Sequence, residues 1–287
     1  MQIGFIGLGI MGSLMAANIL KKGFHLNIYN RSKDKALSLI NSGAKYFTSA
    51  WELAANSNIV ITMLSTPEIV KELSLGENGF LKKMKAGSIW IDCTTVNPSF
   101  SMELAQESKK AGVRFLDAPV AGSKVPAEKG ALIFLVGGHK RDLEEVTPIL
   151  QCMGSKILHA GDHGKGSIMK ILVNMMLAQS MLAFAESVSL GSALGIERDY
   201  LVDTLSDLPV ASPLLSLKKE KIKRADYEAE FPLEWMHKDL HLASLTAYEK
   251  KMPIPLANIA KEIYASANKN GYGRLDFSAV FKLMERD

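Results

Sequence analysis

The sequence is poor in cysteine and has almost no excess of charge. Its 287 residues include only two cysteines, Cys93 and Cys152, which lie among apolar neighbours and show no CxxC or Cys/His spacing. We therefore expect two reduced core thiols and no metal site. The 34 basic and 30 acidic residues leave a net charge of +4. This balance argues against a nucleic-acid-binding protein, although it suits an anionic ligand.

Signals for export and membrane insertion are also lacking. The first residues, MQIGFIGLG, contain neither a basic region nor a cleavage site, so we expect no secretion signal and a cytoplasmic protein. The one long apolar segment, residues 167–194, contains Lys170, Asn174, Gln179 and Glu186. A membrane helix carries such groups only where function requires them. We therefore expect a helix buried in a protein core and no association with membranes.

The composition is that of a soluble globular protein with a substantial core, because 47% of the residues are hydrophobic and 22% are charged. The length allows one large domain or two ordinary ones. The most basic stretch comprises Lys218, Lys219, Lys221, Lys223 and Arg224. We interpret it as a solvated helix face rather than as a binding patch.

Short apolar runs alternate with helical patterns in the first half of the chain. The predicted strands are IGFIG, LNIYN, IVITML, SIWIDC, RFLDAP and LIFLVGG, and the predicted helices are residues 12–22, 32–42, 49–56 and 98–111. Strands that are apolar throughout, rather than alternating, are typical of a parallel sheet covered on both faces. The pattern predicts an α/β domain of Rossmann type with a doubly wound parallel sheet.

The pattern changes at residues 162–166, and no convincing strand follows. The remaining periodicity is helical, most clearly at residues 187–194, 198–206 and 238–250. We therefore predict two domains: residues 1–162, which bind the dinucleotide, and residues 163–287, which are all-helical. The second domain is expected to complete the active site and to form an oligomer interface.

A glycine-rich turn follows the first predicted strand. Residues Gly7, Leu8, Gly9, Ile10, Met11 and Gly12 fit the GxGxxG pattern between a strand and a helix. In a dinucleotide site the first glycine permits the turn, the second lets the pyrophosphate approach and the third lets helix and strand pack closely. The alternative is a tight turn without a ligand.

The residues after the second strand indicate which dinucleotide binds. An NAD site usually has Asp or Glu here, whereas this chain has Asn30, Arg31 and Ser32. No carboxylate repels a 2′-phosphate, and a guanidinium with a hydroxyl can bind one. We therefore predict NADPH in preference to NADH. The alternative is a surface helix cap without a ligand.

Polar groups follow two further strands, at the carboxyl ends where ligands of this architecture bind. Thr95 offers a hydroxyl, while Gly122 and Ser123 offer backbone N–H groups and a second hydroxyl that suit a carboxylate. Lys170 and Asn174 are four residues apart and so share one face of a helix. A lysine among apolar residues needs a partner or a function. The alternative is a lysine that extends from the start of a helix to solvent.

Five ordered motifs give the chain a resemblance to the β-hydroxyacid dehydrogenase family over essentially its whole length. They are the FIGLGxMG motif at residues 5–12, the DxST-like motif at 92–95, the APVSGG-like loop at 118–123, the KxxxN motif at 170–174 and the KD-L-A motif at 238–243. Residues 271–279 also resemble the family's C-terminal signature. Asn30-Arg31-Ser32 and residues 122–128 look most like the glyoxylate/succinic semialdehyde reductase branch.

The resemblance implies roles for individual residues. Lys170 is the expected catalytic acid/base, and the expected substrate-binding residues are Thr95, Gly122, Ser123, Asn174, Phe231 and Asp239. The expected cofactor-binding residues are residues 7–12, Asn30, Arg31, Ser32, Met63, Leu64, Thr95 and Lys238. Ala121 departs from the pattern because the family usually has serine there. The missing hydroxyl bears on substrate preference, not on the lysine chemistry.

The expected activity is NADPH-dependent reduction of a small aldehyde or oxo acid that carries a carboxylate, with glyoxylate and succinic semialdehyde as lead candidates. The nearest alternative is a dehydrogenase of the 3-hydroxyisobutyrate type. A reductive aminase is disfavoured because Lys170 is intact, and a non-catalytic interaction protein would not need Lys170 or the glycines. A homo-oligomer, either a dimer or a tetramer, is expected from the resemblance alone.

Overall fold

A nine-stranded sheet forms the centre of the first of two units, Met1–Lys170. The structure is a computed structural model that describes residues 1–284. The strands are β1 (Gln2–Ile6), β2 (His25–Tyr29), β3 (Lys45–Tyr46), β4 (Ile59–Thr62), β5 (Ile89–Asp92), β6 (Arg114–Asp117), β7 (Val120–Ala121), β8 (Leu132–Gly137) and β9 (Gly154–Gly161). They lie in the order β3-β2-β1-β4-β5-β6-β8-β7, with β9 beside β8.

The predicted parallel sheet is confirmed from β3 to β6, where every neighbouring pair is parallel. The far edge differs, because β8 runs antiparallel to both β6 and β7. A short connection can reverse the chain between antiparallel strands, whereas a parallel pair requires a long crossover. The short strands β3 and β7 and the more polar β9 were not predicted, because none has a long apolar run.

Alternate residues of the central strands point into two separate cores, one on each face of the sheet. In β1, Ile3 and Phe5 pack into one core and Ile6 into the other. In β5, Ile91 and Trp90 divide in the same way. Helices cover both faces, which explains why the strands are apolar at every position.

The helices of this unit are α1 (Ile10–Lys21), α2 (Leu37–Asn41), α3 (Ala50–Ala55), α4 (Pro67–Leu75), α5 (Pro98–Lys110), α6 (Lys124–Glu128), α7 (Lys140–Met153) and the start of α8 (Lys165–Ala193). The four predicted helices are present, the second as a 3-10 turn followed by α2. Helices α4, α6 and α7 were not predicted from the sequence. Thr66-Pro67 was a usable start signal for α4, because the Thr66 hydroxyl accepts the Ile69 N–H. Pro148 inside α7 obscured that helix.

The second unit, Ile171–Asp287, contains helices and no strands among its residues up to 284. It comprises the rest of α8, α9 (Arg198–Asp207), α10 (Pro213–Lys223), α11 (Leu233–Glu249), α12 (Pro255–Ala267) and a 3-10 helix at Phe277–Leu283. Met181 and Phe184 of α8 share a core with Tyr264 and Phe281. By length and composition alone, α8 could cross a membrane, and 39% of its most apolar stretch is buried in the protein.

The interpretation of the basic stretch as a solvated face is wrong for Lys218. Its exposed fraction is 3%, whereas the side chain of Arg224 is 77% exposed. Lys218 points inward from α10 because two carboxylates lie within ion-pair distance of its Nζ atom, those of Glu230 at 2.7 Å and Asp276 at 3.1 Å. A buried ammonium group requires such partners.

Candidate active site

The glycine turn between β1 and α1 has the backbone that a dinucleotide site requires. Gly7 has a φ of +98°, and a Cβ atom there would clash with the Met63 carbonyl oxygen. A Cβ atom on Gly12 would clash with the Gly7 carbonyl oxygen, so Gly12 lets α1 begin close to the turn. Beside Gly9 the space is open, because a Cβ atom there would meet no atom within 4 Å.

The start of α1 is accordingly suited to an anion. Gly9 occupies the cap position, and no side chain caps the first turn. The N–H groups of a helix's first turn lack intrahelical partners and carry partial positive charge. An open cradle at this place fits the pyrophosphate of a dinucleotide. Of the predicted residues around the turn, Leu8 is buried, while Gly9 and Ile10 are exposed.

Asn30 joins the glycine turn to the end of β2. Its side-chain oxygen accepts the Leu8 N–H at 2.9 Å, and its amide nitrogen donates to the Ser32 carbonyl at 2.9 Å. The Asn30 side chain is therefore used to shape the loop. Arg31 and Ser32 are exposed, and the Ser32 hydroxyl does not cap the following helical turn. Both side chains are thus presented to solvent just after β2.

A buried hydrogen-bond network orders the turns that follow β4 and β5. Asp92 Oδ1 accepts bonds from the Thr62 hydroxyl at 2.7 Å and from the Thr94 N–H at 3.1 Å. The Thr94 hydroxyl in turn accepts the Leu64 N–H at 3.0 Å, and Trp90 Nε1 donates to the Thr62 hydroxyl. These bonds hold the backbone beside Thr95 and Met63, which are both half-buried. The sequence analysis quoted Asp92 within a motif but did not assign it this role.

Burial raises the pKa of Asp92 to about 6, because desolvation outweighs the hydrogen bonds from Thr62 and Thr94. Among residues 1–284, no hydrogen-bond partner reaches Asp92 Oδ2. Asp117 is its neighbour across the β5–β6 pairing, and the Asp117 charge raises the pKa of Asp92 further. The charged form of Asp92 is thus disfavoured in the folded protein.

Replacing Asp92 by asparagine is expected to stabilise the protein at high pH. The folded pKa exceeds the unfolded pKa, so the native state binds more protons and stability falls as the pH rises from about 4 to beyond 6. The rise in the pKa of Asp92 from 3.8 to about 6 corresponds to roughly 3 kcal/mol, which is the upper limit of the gain in stability at pH 8. Urea unfolding at pH 4, 6 and 8 measures it. A difference between Asp92→Asn and wild type that does not change with pH would contradict the expectation.

Asp117 caps the first turn of α8. Its two carboxylate oxygens accept the Gly164 N–H at 2.8 Å and the Ser167 N–H at 2.9 Å, and the Ser167 hydroxyl lies 2.8 Å from that of Ser101. A carboxylate at a helix N-terminus satisfies unpaired N–H groups and interacts favourably with the helix dipole. Lys170 follows Ser167 by about one turn and is half-buried. Asp117 therefore orients the helical turn that carries Lys170.

Asp117 also provides a matched control for the Asp92 experiment. Asparagine at position 117 leaves one amide nitrogen where an oxygen accepts a backbone N–H, so Asp117→Asn is expected to destabilise the protein at neutral pH. The two substitutions remove the same charge from neighbouring strands. Opposite effects at pH 8 would separate loss of a hydrogen-bond acceptor from relief of a buried charge.

The loop after β6 forms a second turn with a left-handed glycine. Gly122 has a φ of +115°, a backbone conformation that residues with a side chain rarely adopt. Ser123 follows it at the start of α6, and its hydroxyl makes no capping hydrogen bond. Ala121 lies in β7, paired with Ile133 of β8. The predicted carboxylate-binding residues of this loop thus form a left-handed glycine turn followed by a serine whose hydroxyl does not cap α6.

The second unit links three of its four predicted site residues through one hydrogen bond and one ion pair. Asn174 and Asp239 are both buried, and the Asn174 amide nitrogen donates to Asp239 Oδ2 at 2.5 Å. Lys238 Nζ lies 2.9 Å from Asp239 Oδ1. Asp239 therefore orients Asn174 and Lys238, a role that the sequence analysis did not assign. The fourth residue, Phe231, packs against Phe277, with ring centroids 5.8 Å apart.

Two family models together match most of the chain. Residues 2–161 match the family model described as the NAD-binding domain of 6-phosphogluconate dehydrogenase. Residues 164–284 match the model described as NAD-binding of NADP-dependent 3-hydroxyisobutyrate dehydrogenase.

Individual relatives cover nearly the whole chain. Glyoxylate/succinic semialdehyde reductase 2 of Arabidopsis thaliana is 37% identical, over 99% of this chain and 79% of that protein. Mitochondrial 3-hydroxyisobutyrate dehydrogenase of Homo sapiens is also 37% identical, over 99% of this chain and 87% of that protein. A Mycobacterium tuberculosis 3-hydroxyisobutyrate dehydrogenase structure with L-serine aligns over 99% of both chains, with a TM-score of 0.90 and 30% identity.

Proposed function

Because the chain belongs to the β-hydroxyacid dehydrogenase family, we propose that it uses NADPH to reduce small aldehydes and oxo acids that carry a carboxylate, with glyoxylate and succinic semialdehyde as lead substrates. The chain is an oxidoreductase that acts on CH–OH groups with a nicotinamide cofactor. The choice of NADPH, and of these substrates, is the proposal.

The observation that carries the proposal is the pair of residues after β2, Asn30 and Arg31. Asn30 stands where an NAD site usually has Asp or Glu, and its side chain is engaged with Leu8 and Ser32. Arg31 is exposed and offers a planar, permanently charged fork that suits a phosphate group. NADPH is the reduced cofactor with a 2′-phosphate, so its use supports the reductive direction.

The remaining cofactor contacts follow from the glycine turn. The open cradle at Gly9 and the uncapped start of α1 would hold the pyrophosphate. Met63 and Leu64 directly follow β4, and both lie next to Gly7, because a Cβ atom on Gly7 would contact them. The nicotinamide, when bound, supplies the hydride for carbonyl reduction.

We assign to Lys170 the transfer of the proton. As the carbonyl carbon is reduced, negative charge develops on its oxygen, and the Lys170 Nζ group donates a proton to that oxygen. Its positive charge also stabilises the oxygen before the proton moves. In the oxidative direction the neutral amine accepts the hydroxyl proton. The cap that Asp117 forms on α8 reduces the freedom of the turn that presents this group.

The substrate carboxylate is assigned to the loop at Gly122 and Ser123, with the Thr95 hydroxyl as a further donor. Two features support this assignment: the Ser123 hydroxyl makes no capping hydrogen bond, and Gly122 forms a left-handed turn. Asn174 is assigned an orienting role. Because Asp239 holds its amide nitrogen, the Asn174 oxygen has a defined direction.

A dehydrogenase of the 3-hydroxyisobutyrate type is the second candidate. The Homo sapiens relative with that name is as similar in identity as the Arabidopsis thaliana reductase. The two candidates differ in the preferred direction and in the substrate beyond its carboxylate. Both would use Lys170 in the same way.

A substrate panel distinguishes the candidates. Glyoxylate and succinic semialdehyde are tested with NADPH and with NADH, and 3-hydroxyisobutyrate is tested with NADP⁺ and with NAD⁺, each followed by absorbance at the reduced nicotinamide band. We expect the highest kcat/KM with one of the two aldehydes and NADPH. A higher kcat/KM for oxidation of 3-hydroxyisobutyrate would replace this proposal with the second candidate.

Two further assignments rest on the family resemblance. We propose a cytoplasmic homo-oligomer without a nucleic-acid or membrane partner. Apolar side chains that α8 exposes, at Leu172, Met176 and Leu190, support an interface on this helix. Light scattering of the purified protein would test the proposed oligomer, and a single-chain mass would contradict it.

Restoring the loop hydroxyl is expected to strengthen substrate binding. Ala121→Ser would add a donor beside Gly122, and one hydrogen bond to a carboxylate is worth about 1–2 kcal/mol, or roughly a fivefold to thirtyfold lower KM. The value of kcat should change little. Ala131→Ser, at an exposed alanine before β8, is the control. An unchanged or higher KM for every acid tested would mean that position 121 does not contact the carboxylate.

A further inference from the structure

A buried lysine of the second unit has no assigned role in the chemistry. Lys218 of α10 is 3% exposed, and its Nζ atom lies 2.7 Å from Glu230 Oε2 and 3.1 Å from Asp276 Oδ2. The same nitrogen lies 5.6 Å from the centre of the Phe277 ring. The ammonium group is therefore enclosed by two carboxylates and an aromatic face.

Asp276 links this lysine to the backbone of a predicted substrate residue. It is fully buried, and its Oδ2 atom also accepts the N–H groups of Glu230 at 3.1 Å and of Phe231 at 3.2 Å. The Phe231 carbonyl accepts the Phe277 N–H at 2.9 Å. Both polar backbone groups of Phe231 are thus held by residues 276 and 277.

The other oxygen of Asp276 fixes the carboxylate itself. Asp276 Oδ1 accepts the N–H of Ser278 at 3.3 Å and its hydroxyl at 2.7 Å. The adjacent backbone is also tied, because Leu233 N–H donates to the Leu275 carbonyl at 2.8 Å. The start of α11, which carries Lys238 and Asp239, is therefore joined to the same C-terminal segment.

Packing alone does not explain this arrangement. Burying an ammonium group and a carboxylate carries a large desolvation penalty, and apolar side chains of similar volume often stabilise a core as well or better. What the charged pair provides, and an apolar pair cannot, is a directed acceptor for two successive backbone N–H groups. Such directed bonds determine the position of the backbone from which the Phe231 ring projects.

We infer that Lys218 and Asp276 are positioning residues that hold the Glu230–Phe231 backbone and thereby set the affinity for the acid substrate. This inference rests on the proposed function and on the role in substrate binding that the family resemblance implies for Phe231. Lys218 contacts and directs the Asp276 carboxylate, and Asp276 holds the backbone of Phe231. Neither residue exchanges a proton with the substrate.

Asp276→Asn is the primary test, because its single amide oxygen cannot replace both carboxylate oxygens of Asp276, and the amide has no charge to pair with Lys218. We expect the KM for the acid substrate to rise by about tenfold to a hundredfold, as for loss of hydrogen bonds to a charged group. The KM for NADPH and kcat should each change less than about threefold. Asp207→Asn, which removes an exposed carboxylate paired with Lys219 of the same helix α10, is the control and should leave all three unchanged.

A double-mutant cycle with Phe231→Leu separates positioning from general destabilisation. If Asp276 acts through Phe231, then Asp276→Asn should raise KM little further once Phe231 is leucine. Lys218→Met keeps the aliphatic stem but removes the ammonium group that directs Asp276, so it takes the place of Asp276→Asn in the cycle if that variant does not fold. Additive effects on KM, or an unchanged KM in folded protein, would overturn the inference.

Amide hydrogen exchange distinguishes failure of the inference from failure of the proposed function. Exchange at Glu230 and Phe231 needs no substrate and should accelerate in Asp276→Asn but not in Asp207→Asn. If exchange accelerates in Asp276→Asn but the wild-type protein reduces no oxo acid, the restraint on the backbone is supported and the proposed role in substrate binding is rejected. Unchanged exchange would reject the restraint itself.

Discussion

Replacing Lys170 by alanine is expected to lower kcat by about a hundredfold to ten-thousandfold, the usual effect of removing a general acid. The physical reason is that the alkoxide formed on hydride transfer loses both its proton donor and the positive charge that stabilises it. Binding of NADPH, measured by fluorescence or calorimetry, should survive, because the glycine turn and Arg31 are untouched. Steady-state reduction of glyoxylate and succinic semialdehyde gives the kcat values.

Two other lysine substitutions sharpen this experiment. Lys170→Arg should not restore turnover, because guanidinium retains its proton and its planar fork differs from a point donor. Lys165→Ala, at an exposed lysine in the first turn of the same helix, should leave kcat unchanged. If Lys170→Ala keeps most of the wild-type turnover, Lys170 only extends to solvent, and Lys238 becomes the next candidate for the acid. Circular dichroism establishes that each variant is folded before its rate is interpreted.

Asn174→Ala should cost less turnover than Lys170→Ala, and part of its effect should appear in KM. Its amide orients substrate in the proposal, and Asp239 in turn orients the amide. Removing the amide also leaves Asp239 Oδ2 without its donor, while Lys238 remains beside Oδ1. A loss as large as that of Lys170→Ala would assign Asn174 to the proton transfer instead.

Replacing Arg31 by alanine is expected to raise the KM for NADPH by roughly tenfold to a hundredfold, because a charge-assisted hydrogen bond is worth about 1.5–3 kcal/mol. The KM for NADH should barely change, because NADH has no 2′-phosphate. Initial rates at saturating aldehyde, with each cofactor varied in turn, give both constants.

A neighbouring cation provides the control for Arg31. Lys35 is exposed on the same short segment, so Lys35→Ala removes an equal charge at a position that the proposal does not assign to the phosphate. We expect it to change the KM for NADPH much less than Arg31→Ala does. Equal weakening of NADPH and NADH by Arg31→Ala would make Arg31 a structural residue and remove the basis for preferring NADPH.

Several features could be predicted from the sequence because their causes are local. The glycine turn could be predicted because few residues other than glycine adopt a φ near +98°, as Gly7 does. Glycine is also needed where a helix packs closely against the turn, as at Gly12. The apolar strands β1, β2, β4, β5 and β6 follow from burial on both faces. Residues 5–12 and 170–174 are short motifs whose spacing is visible in the sequence, so the cofactor turn and the lysine proposed as the acid could be predicted.

Elements without a long apolar run could not be predicted in this way. Strands β3 and β7 have two residues each, and β9 contains several exposed positions. They form because a neighbouring strand offers unpaired backbone groups, which is a property of the assembled sheet rather than of the segment. The buried position of Lys218 was missed for a related reason, since its two carboxylate partners lie 12 and 58 residues further along the chain.

The sequence by itself determined the class of chemistry: a glycine turn for a dinucleotide, an Arg-Ser pair in place of a carboxylate and a lysine on an apolar helix. Only the tertiary structure decided which groups support them. Asp117 caps the lysine helix from 47 residues away, Asn30 ties the glycine turn to β2 from 22 residues away, and Asp276 holds Phe231 from 45 residues away. Local backbone preference acts within a few residues, whereas a hydrogen bond forms wherever folding brings a donor and an acceptor together, and sequence spacing does not record that distance.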